Sequence, residues 1–385
     1  MNKGFLAIAL VSCASALFAR TTDPLVPQIA ADLQVEPAVA ALLGTAFALP
    51  WALMQPILGP LGDLLGKTRV VTVCLVILVI SAVVGAMATS FPVLLLSRII
   101  AGAAAGGVSP VAMALISDLV PVHSRQVAMG RQLTITVSGV LLGGAGAGVL
   151  ADFLGWRSVF VAIGLCAAVA VIVAIVSFRS VASPPRALRF ASIVGNYRKV
   201  FANPRTKICY AAVFVEGVAL FGIFPFIALL LVAVGEPRTS IAGLVVSAFA
   251  VGGILYALAV GPLVKRFPSG RLMVAGGFIV AAGILVEAAL PPWPVQFAAL
   301  LVAGFGFYLM HGCIMLEMSE LAPEARGTAV AGHAFCFFTG QALGPAVFGL
   351  GLVTIGAGGT IVIGAVAVAL TGILTARWLR ASAAT

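Results

Sequence analysis

Residues 70 to 89, VVTVCLVILVISAVVGAMAT, run for 20 positions without a charge. A helix of about that length covers the roughly 30 Å of hydrocarbon in a bilayer. Inside hydrocarbon the backbone finds no water, so only helices and closed barrels can span it. The run lacks the alternation of apolar and polar residues that marks a membrane barrel strand, so helix is the reading. Stretches of this kind recur along the chain, which is 62% hydrophobic and 9% charged over 385 residues. That is more apolar surface than a water-soluble globule can bury. The expected fold class is an all-α integral membrane protein.

Twelve transmembrane helices are expected, near 5 to 28, 38 to 61, 70 to 89, 92 to 116, 127 to 150, 156 to 178, 207 to 234, 240 to 262, 271 to 290, 294 to 318, 326 to 350 and 353 to 376. With the N-terminus in the cytoplasm, only Arg157 and Arg238 of the 22 Lys and Arg residues fall outside, while Arg20 and Arg98 lie within spans. This satisfies the positive-inside rule and puts both termini in the cytoplasm. Lys3 and the Leu10-Val11-Ser12-Cys13 box imitate a lipoprotein signal, but cleavage there would break the repeat described next, so a retained first span is expected. The six cysteines lie in apolar spans without CxxC spacing and read as packing residues, not as a metal site or disulfides. The net charge of +10 collects largely in a basic segment, 179 to 206, which suits anionic lipid headgroups better than nucleic acid. That segment divides the chain into an N-terminal six-helix bundle (1 to 178) and a C-terminal one (207 to 385).

The two halves repeat. At an offset of 202, Gly59, Pro60, Leu61 and Arg69 meet Gly261, Pro262, Leu263 and Arg271, and Ser117-Asp118-Leu119 meets Ser319-Glu320-Leu321. At 201, Arg125 meets Arg326, and Gly139, Gly143 and Gly148 meet Gly340, Gly344 and Gly349. Six spans per half make the repeats parallel, the arrangement of a secondary transporter whose substrate site lies between the halves.

GPLGDLLGKTR, residues 59 to 69, resembles the signature loop between spans two and three of the major facilitator superfamily, with Gly59, Asp63, Gly66, Lys67 and Arg69 in the expected places. The resemblance extends over essentially the whole chain. It implies a conformational latch at the inner gate, for which Arg326 is the candidate partner of Asp63. Three further stretches resemble the drug:proton antiporter branch: Pro24-Leu25-Val26-Pro27, Arg98-Ile99-Ile100-Ala101-Gly102, and GVLLGGAGAGVL from 139 to 150. The last departs from the pattern, because the family's Gly-Pro pair is Gly143-Gly144 here and Gly344-Pro345 in span eleven. Gly139, Gly143, Gly148, Gly340 and Gly344 are also the residues that let helices approach closely.

A charge inside a span costs roughly 3 kcal/mol or more, so it normally faces a cavity or a partner. Glu216, deep in span seven without a neighbouring cation in sequence, is the first proton-coupling candidate, since burial disfavours its carboxylate and lets it carry a proton at neutral pH. Asp23, His311 and His333 are the others. Arg98 cannot release a proton and either binds an anionic group or perturbs a nearby acid. Arg20 and Asp23, spaced i and i+3, either line the outer cavity or form a structural pair.

The stretch YLMHGCIMLEMSE, 308 to 320, separates by helix geometry. Cys313, Glu317 and Glu320 share one face, with Glu317 and Glu320 at the cytoplasmic rim as gate residues together with Asp118 and Arg326. His311 lies deeper and apart, with Tyr308 and Met315 on its face. There is no HExxH, no credible GxSxG elbow and no phosphate-cradling loop, so neither an enzyme, a cofactor nor a nucleotide-driven pump is expected. The sequence supports a secondary active transporter in a plasma membrane, on the family resemblance a bacterial inner membrane, exporting a small organic solute by proton antiport and working as a monomer. Proton symport uptake, uniport and a receptor built on the same fold remain the other readings. The candidate cavity lining, Arg20, Arg98, Phe221, Phe224, Phe307, Tyr308 and Met315, suits an amphipathic or weakly charged molecule.

Overall fold

A computed structural model describes residues 3–119, 122–178, 190–321 and 326–381 of the chain. Fourteen α-helices follow one another among these residues: α1 (Lys3–Leu17), α2 (Val26–Asp32), α3 (Pro37–Leu65), α4 (Lys67–Ala86), α5 (Phe91–Leu119), α6 (Val122–Leu154), α7 (Trp156–Phe178), α8 (Phe190–Ala202), α9 (Pro204–Phe221), α10 (Ile227–Ala233), α11 (Thr239–Arg266), α12 (Ser269–Glu287), α13 (Trp293–Leu321) and α14 (Arg326–Ala381). Ten helical segments among the described residues are long and apolar enough to cross a membrane. One of them contains two spans, because α14 breaks at Gly356, whose φ of 76° is open to glycine and costly for other residues. The first span is the shorter apolar helix Gly4–Leu17, continued by α2. The described residues thus form the expected all-α fold, with apolar helical segments for the twelve expected spans.

Two spans differ from the continuous helices expected from hydropathy. The first is interrupted by a 3₁₀ turn at Asp23–Leu25 and the seventh by one at Phe224–Phe226. Each turn has a proline at its centre, Pro24 and Pro225, which has no N–H for the ladder and clashes with the preceding turn. Hydropathy averages over such a break and cannot report it. The interruption recurs at the same place in both repeats.

The chain divides into two compact units, one formed by Met1–Leu188 with Arg238–Gly243, the other by Arg189–Pro237 with Leu244–Thr385. In the first, α6 lies against α1 through Gly139 and Gly143. A Cβ at Gly139 would stand 2.8 Å from the Cys13 carbonyl oxygen, and one at Gly143 would stand 2.9 Å from the Leu17 carbonyl carbon. Residues 238–243 join this unit because Asp152 caps them: its carboxylate accepts from the Thr239 amide at 2.8 Å and the Ser240 amide at 2.9 Å. A Cβ at Gly148 would likewise meet the Thr239 backbone. Asp32 ties α2 to α7, accepting from Trp156 Nε1 at 3.2 Å and pairing with Arg157 at 2.6 Å.

The second unit repeats this packing between α14 and α9. A Cβ at Gly340 would stand 3.0 Å from the Phe214 carbonyl carbon, and one at Gly344 would stand 2.8 Å from the Gly222 amide. Pro345 follows inside α14. The tight turn of the signature loop ends α3 at Gly66, with φ 96° and ψ 122°. The side chains of Asp63, Asp118 and Arg326, and the position Gly59, lie outside what the structure describes, as do residues 179–189 of the basic segment; the remainder of that segment contains α8.

Candidate functional site

Three helices of the second unit converge on one polar group. Helix α9 starts at Pro204, where the Asn203 side chain accepts from the Arg205 amide at 3.1 Å and donates to the Leu321 carbonyl at 3.2 Å. This cap fixes the end of α9 against the end of α13. Further along, Gly217 lets α14 come close: a Cβ there would sit 2.5 Å from the Phe337 carbonyl oxygen. Tyr210 adds a hydrogen bond from its hydroxyl to the Ala329 carbonyl at 3.1 Å, one turn before His333. Glu216 is therefore held at a close helix crossing and is completely buried.

His311 of α13 reaches this carboxylate, with 2.7 Å between its Nδ1 and Glu216 Oε2. On the other side of the ring, His311 Nε2 stands 3.2 Å from Nε2 of His333 on α14. A carboxylate accepts only, so Glu216 as an anion fixes the His311 proton on Nδ1 and leaves a lone pair on Nε2. His333 then donates from its own Nε2. Glu216 Oε1 and His333 Nδ1 are buried without a protein partner, so the chain has unused capacity at both ends. Leaving such groups unmade is costly, which marks the network as more than packing.

Aromatic rings enclose it. The His311 ring stacks on Phe307 with centroids 4.9 Å apart and lies 4.7 Å from Phe337. Phe221 contacts Phe307 and Phe337 at 5.3 and 5.4 Å and stacks on Phe224 at 5.1 Å. Tyr308 joins through Phe307 at 5.0 Å and Tyr256 at 6.3 Å. Met315 is exposed.

A second polar cluster lies in the first unit, at the break of the first span. Arg20 Nη1 bonds Asp23 Oδ2 at 3.0 Å, and Asp23 is 1% exposed. Arg98, also 1% exposed, donates from Nη2 to the Phe18 carbonyl at 2.8 Å, a carbonyl available because α1 has ended. Its guanidinium lies 4.4 Å over the Phe47 ring, a cation–π contact. Arg98 Nε and Nη1 have no protein partner, and Asp23 and Arg98 are close enough to interact electrostatically.

Near the C-terminal end of α13, Glu317 Oε1 accepts from the Ser269 hydroxyl at 2.8 Å, which ties α13 to the first residue of α12. Glu320 and Arg69 are exposed, whereas Lys67 is buried. The structure departs from the sequence reading at Glu216, which looked isolated: its partner, His311, is 95 residues away. His311 and His333, read as separate candidates, touch. Glu287 and Gln296 went unnoticed; both are completely buried, and both Glu287 oxygens and Gln296 Oε1 lack partners. Glu287 lies inside the expected span 271 to 290, three residues from its end, and was a charge in a span that the sequence reading passed over. Asp152 lies two residues beyond the expected span 127 to 150, where a carboxylate reads as ordinary loop polarity.

Two units of long apolar helices, each enclosing ionisable side chains, define a polytopic helical membrane protein. The chain belongs to the Major Facilitator Superfamily, whose family model matches residues 8–345 and 238–385. An uncharacterized MFS-type transporter of Mycobacterium tuberculosis is 26% identical over 81% of this chain, and the chain spans about 55% of that relative's length. A chloramphenicol resistance protein of Streptomyces lividans is 28% identical, over 71% of this chain and 69% of its own. Among solved structures, a bacterial homolog of the human lysosomal transporter Spinster superposes with a TM-score of 0.71, at 21% identity and over 99% of this chain and 95% of the other. These similarities are to transporters, not to enzymes.

Proposed function

We propose that the protein exports a small organic, amphipathic solute in exchange for protons, by alternating access. The observation that carries this reading is the buried chain Glu216–His311–His333, with 2.7 and 3.2 Å between successive groups. A carboxyl and two imidazoles in hydrogen-bonded series can take up one proton and share it, so the charge of the site changes by one without any group having to leave its place. Protonation neutralises the Glu216 carboxylate, weakens its hold on a cationic or polar solute, and shifts the balance between outward- and inward-facing states by the difference in its interaction with the two. The surrounding phenyl rings supply a face for the apolar part of the solute. The chloramphenicol resistance relative supports an export direction.

Asp23 and Arg98 serve as a second polar station in this scheme. Asp63 with Arg326 forms the inner latch, and the segment from 179 to 206 is the cytoplasmic linker between two six-helix bundles. The working protein is a monomer in a bacterial inner membrane with both termini inside. The test is flux in proteoliposomes under an imposed pH gradient. Glu216→Gln keeps the shape and loses the titration, so gradient-driven flux of a transported dye falls at least tenfold, while exchange of solute for solute persists. Undiminished gradient-driven flux in this variant would refute the proton-carrier role.

A further inference from the structure

The two histidines meet through like atoms, Nε2 to Nε2 at 3.2 Å, with ring centroids 4.8 Å apart and the planes at 65°. A hydrogen bond accounts for this spacing, and so does chelation. Two imidazole nitrogens each about 2.0–2.1 Å from a tetrahedral zinc ion stand about 3.3 Å apart. The far side of the His311 ring carries the arrangement that orients a ligating histidine, a carboxylate on Nδ1, here Glu216 at 2.7 Å. Moving the His333 proton from Nε2 to Nδ1 frees Nε2 as a donor to a metal; Nδ1 has no protein partner, so it stays unpaired in either tautomer and the change breaks no hydrogen bond at that atom. That tautomer change releases no net proton. The His311 side chain keeps 17% of its surface exposed, whereas His333 is 3% exposed.

We infer that His311 and His333 form a binding site for a divalent transition-metal ion of the zinc and nickel type, held by the two Nε2 atoms with Glu216 orienting His311. Among the described residues no three His, Cys, Asp or Glu side chains surround one point, so protein supplies two ligands and water or solute donors complete the shell. The ion occupies the place of the shared proton and joins α13 to α14. Imidazole selects zinc, nickel and copper over magnesium and calcium, which prefer oxygen. The site is an entry point for inhibition of the protein by such ions, whatever solute it carries. Although the inference uses the same residues as the proton reading, it stands without it.

The experiment is calorimetric titration of the purified, detergent-solubilised protein with zinc chloride, without a gradient and without solute. One zinc ion per chain binds to wild type, magnesium does not, and zinc raises the wild-type melting temperature. His311→Ala and His333→Ala each abolish this binding. Glu216→Gln leaves both ligands and weakens binding about 10-fold or more through loss of the carboxylate on Nδ1. The six cysteines are free thiols, so a variant with all six replaced by serine or alanine serves as the comparison, and it retains the site. No zinc-dependent stabilisation of wild type, or binding that survives the double histidine variant and disappears with the cysteines, overturns the inference. Because flux under a pH gradient is read without metal and metal binding without a gradient, either result can fail alone.

Discussion

Helix α6 touches α1 backbone to backbone, and Gly143 is where the contact is tightest. An alanine Cβ there would lie 2.9 Å from the Leu17 carbonyl carbon, 3.1 Å from its Cα and closer still to its oxygen. Carbon pairs rest at about 3.5–4.0 Å, and neither partner can turn aside, because both belong to helical backbone. Helix α6 must therefore shift by roughly 1 Å, which prises apart the neighbouring contact at Gly139. Overpacking of this kind costs about 1–3 kcal/mol. Against it stands the gain of about 0.5–1 kcal/mol when alanine replaces glycine in a helix. Gly146, three residues on in the same helix, supplies the reference, since a Cβ there meets nothing within 4 Å and only the helix gain remains. Thermal unfolding in detergent should then place Gly143→Ala below wild type and Gly146→Ala at or above it. A Gly143→Ala midpoint equal to that of Gly146→Ala would show that α1 and α6 are not in backbone contact, and the packing account would fall with it.

Two further outcomes follow from single positions. Gly66→Ala forces a side chain into φ 96° and ψ 122° at the turn between α3 and α4, outside the left-handed helical region that other residues can enter, a strain of about 1–3 kcal/mol; Gly66→Asn, whose tolerance is for that region, should lose as much melting temperature, and an alanine variant as stable as wild type would remove the backbone explanation. Glu287→Gln keeps the volume of a completely buried side chain whose oxygens have no hydrogen-bond partner in the protein, so it breaks no bond and its melting temperature should fall by no more than the equivalent of about 1 kcal/mol, the centre of the range for single substitutions. A large drop would show that a charged carboxylate there is held by a partner.

The fold was open to reading because its determinants are local and repeated. Charge-free runs of helix-spanning length mark most membrane passages, and the matched glycines at 139 and 340 and at 143 and 344 keep one helix pairing in each unit. The break at Pro225 was foreshadowed only by the proline itself, since its flanks are as apolar as any span, whereas the break at Pro24 also carries the polar run Arg20-Thr21-Thr22-Asp23 before it. The site was legible in a different and weaker way. A costly charge in a span signals a purpose, which singles out Glu216, Asp23 and Arg98 one by one, and a lone histidine in a span does the same for His311 and His333. What one helix cannot encode is which residue of another helix answers it. Glu216, His311 and His333 lie on three separate helices, and the register between those helices is set by side chains that carry no sign of the task. Gly217 is the clearest case, a glycine among many whose missing Cβ lets the Phe337 backbone approach and brings α14 against the helix that carries Glu216. Glycine at 217 is thus a positioning residue for the acid beside it. The isolation of Glu216 in the sequence reflected its distance along the chain from His311, whereas its chemistry depends on the distance across the helix packing, 2.7 Å. A carboxylate that seemed to need a proton for want of a partner has one that can share that proton onward.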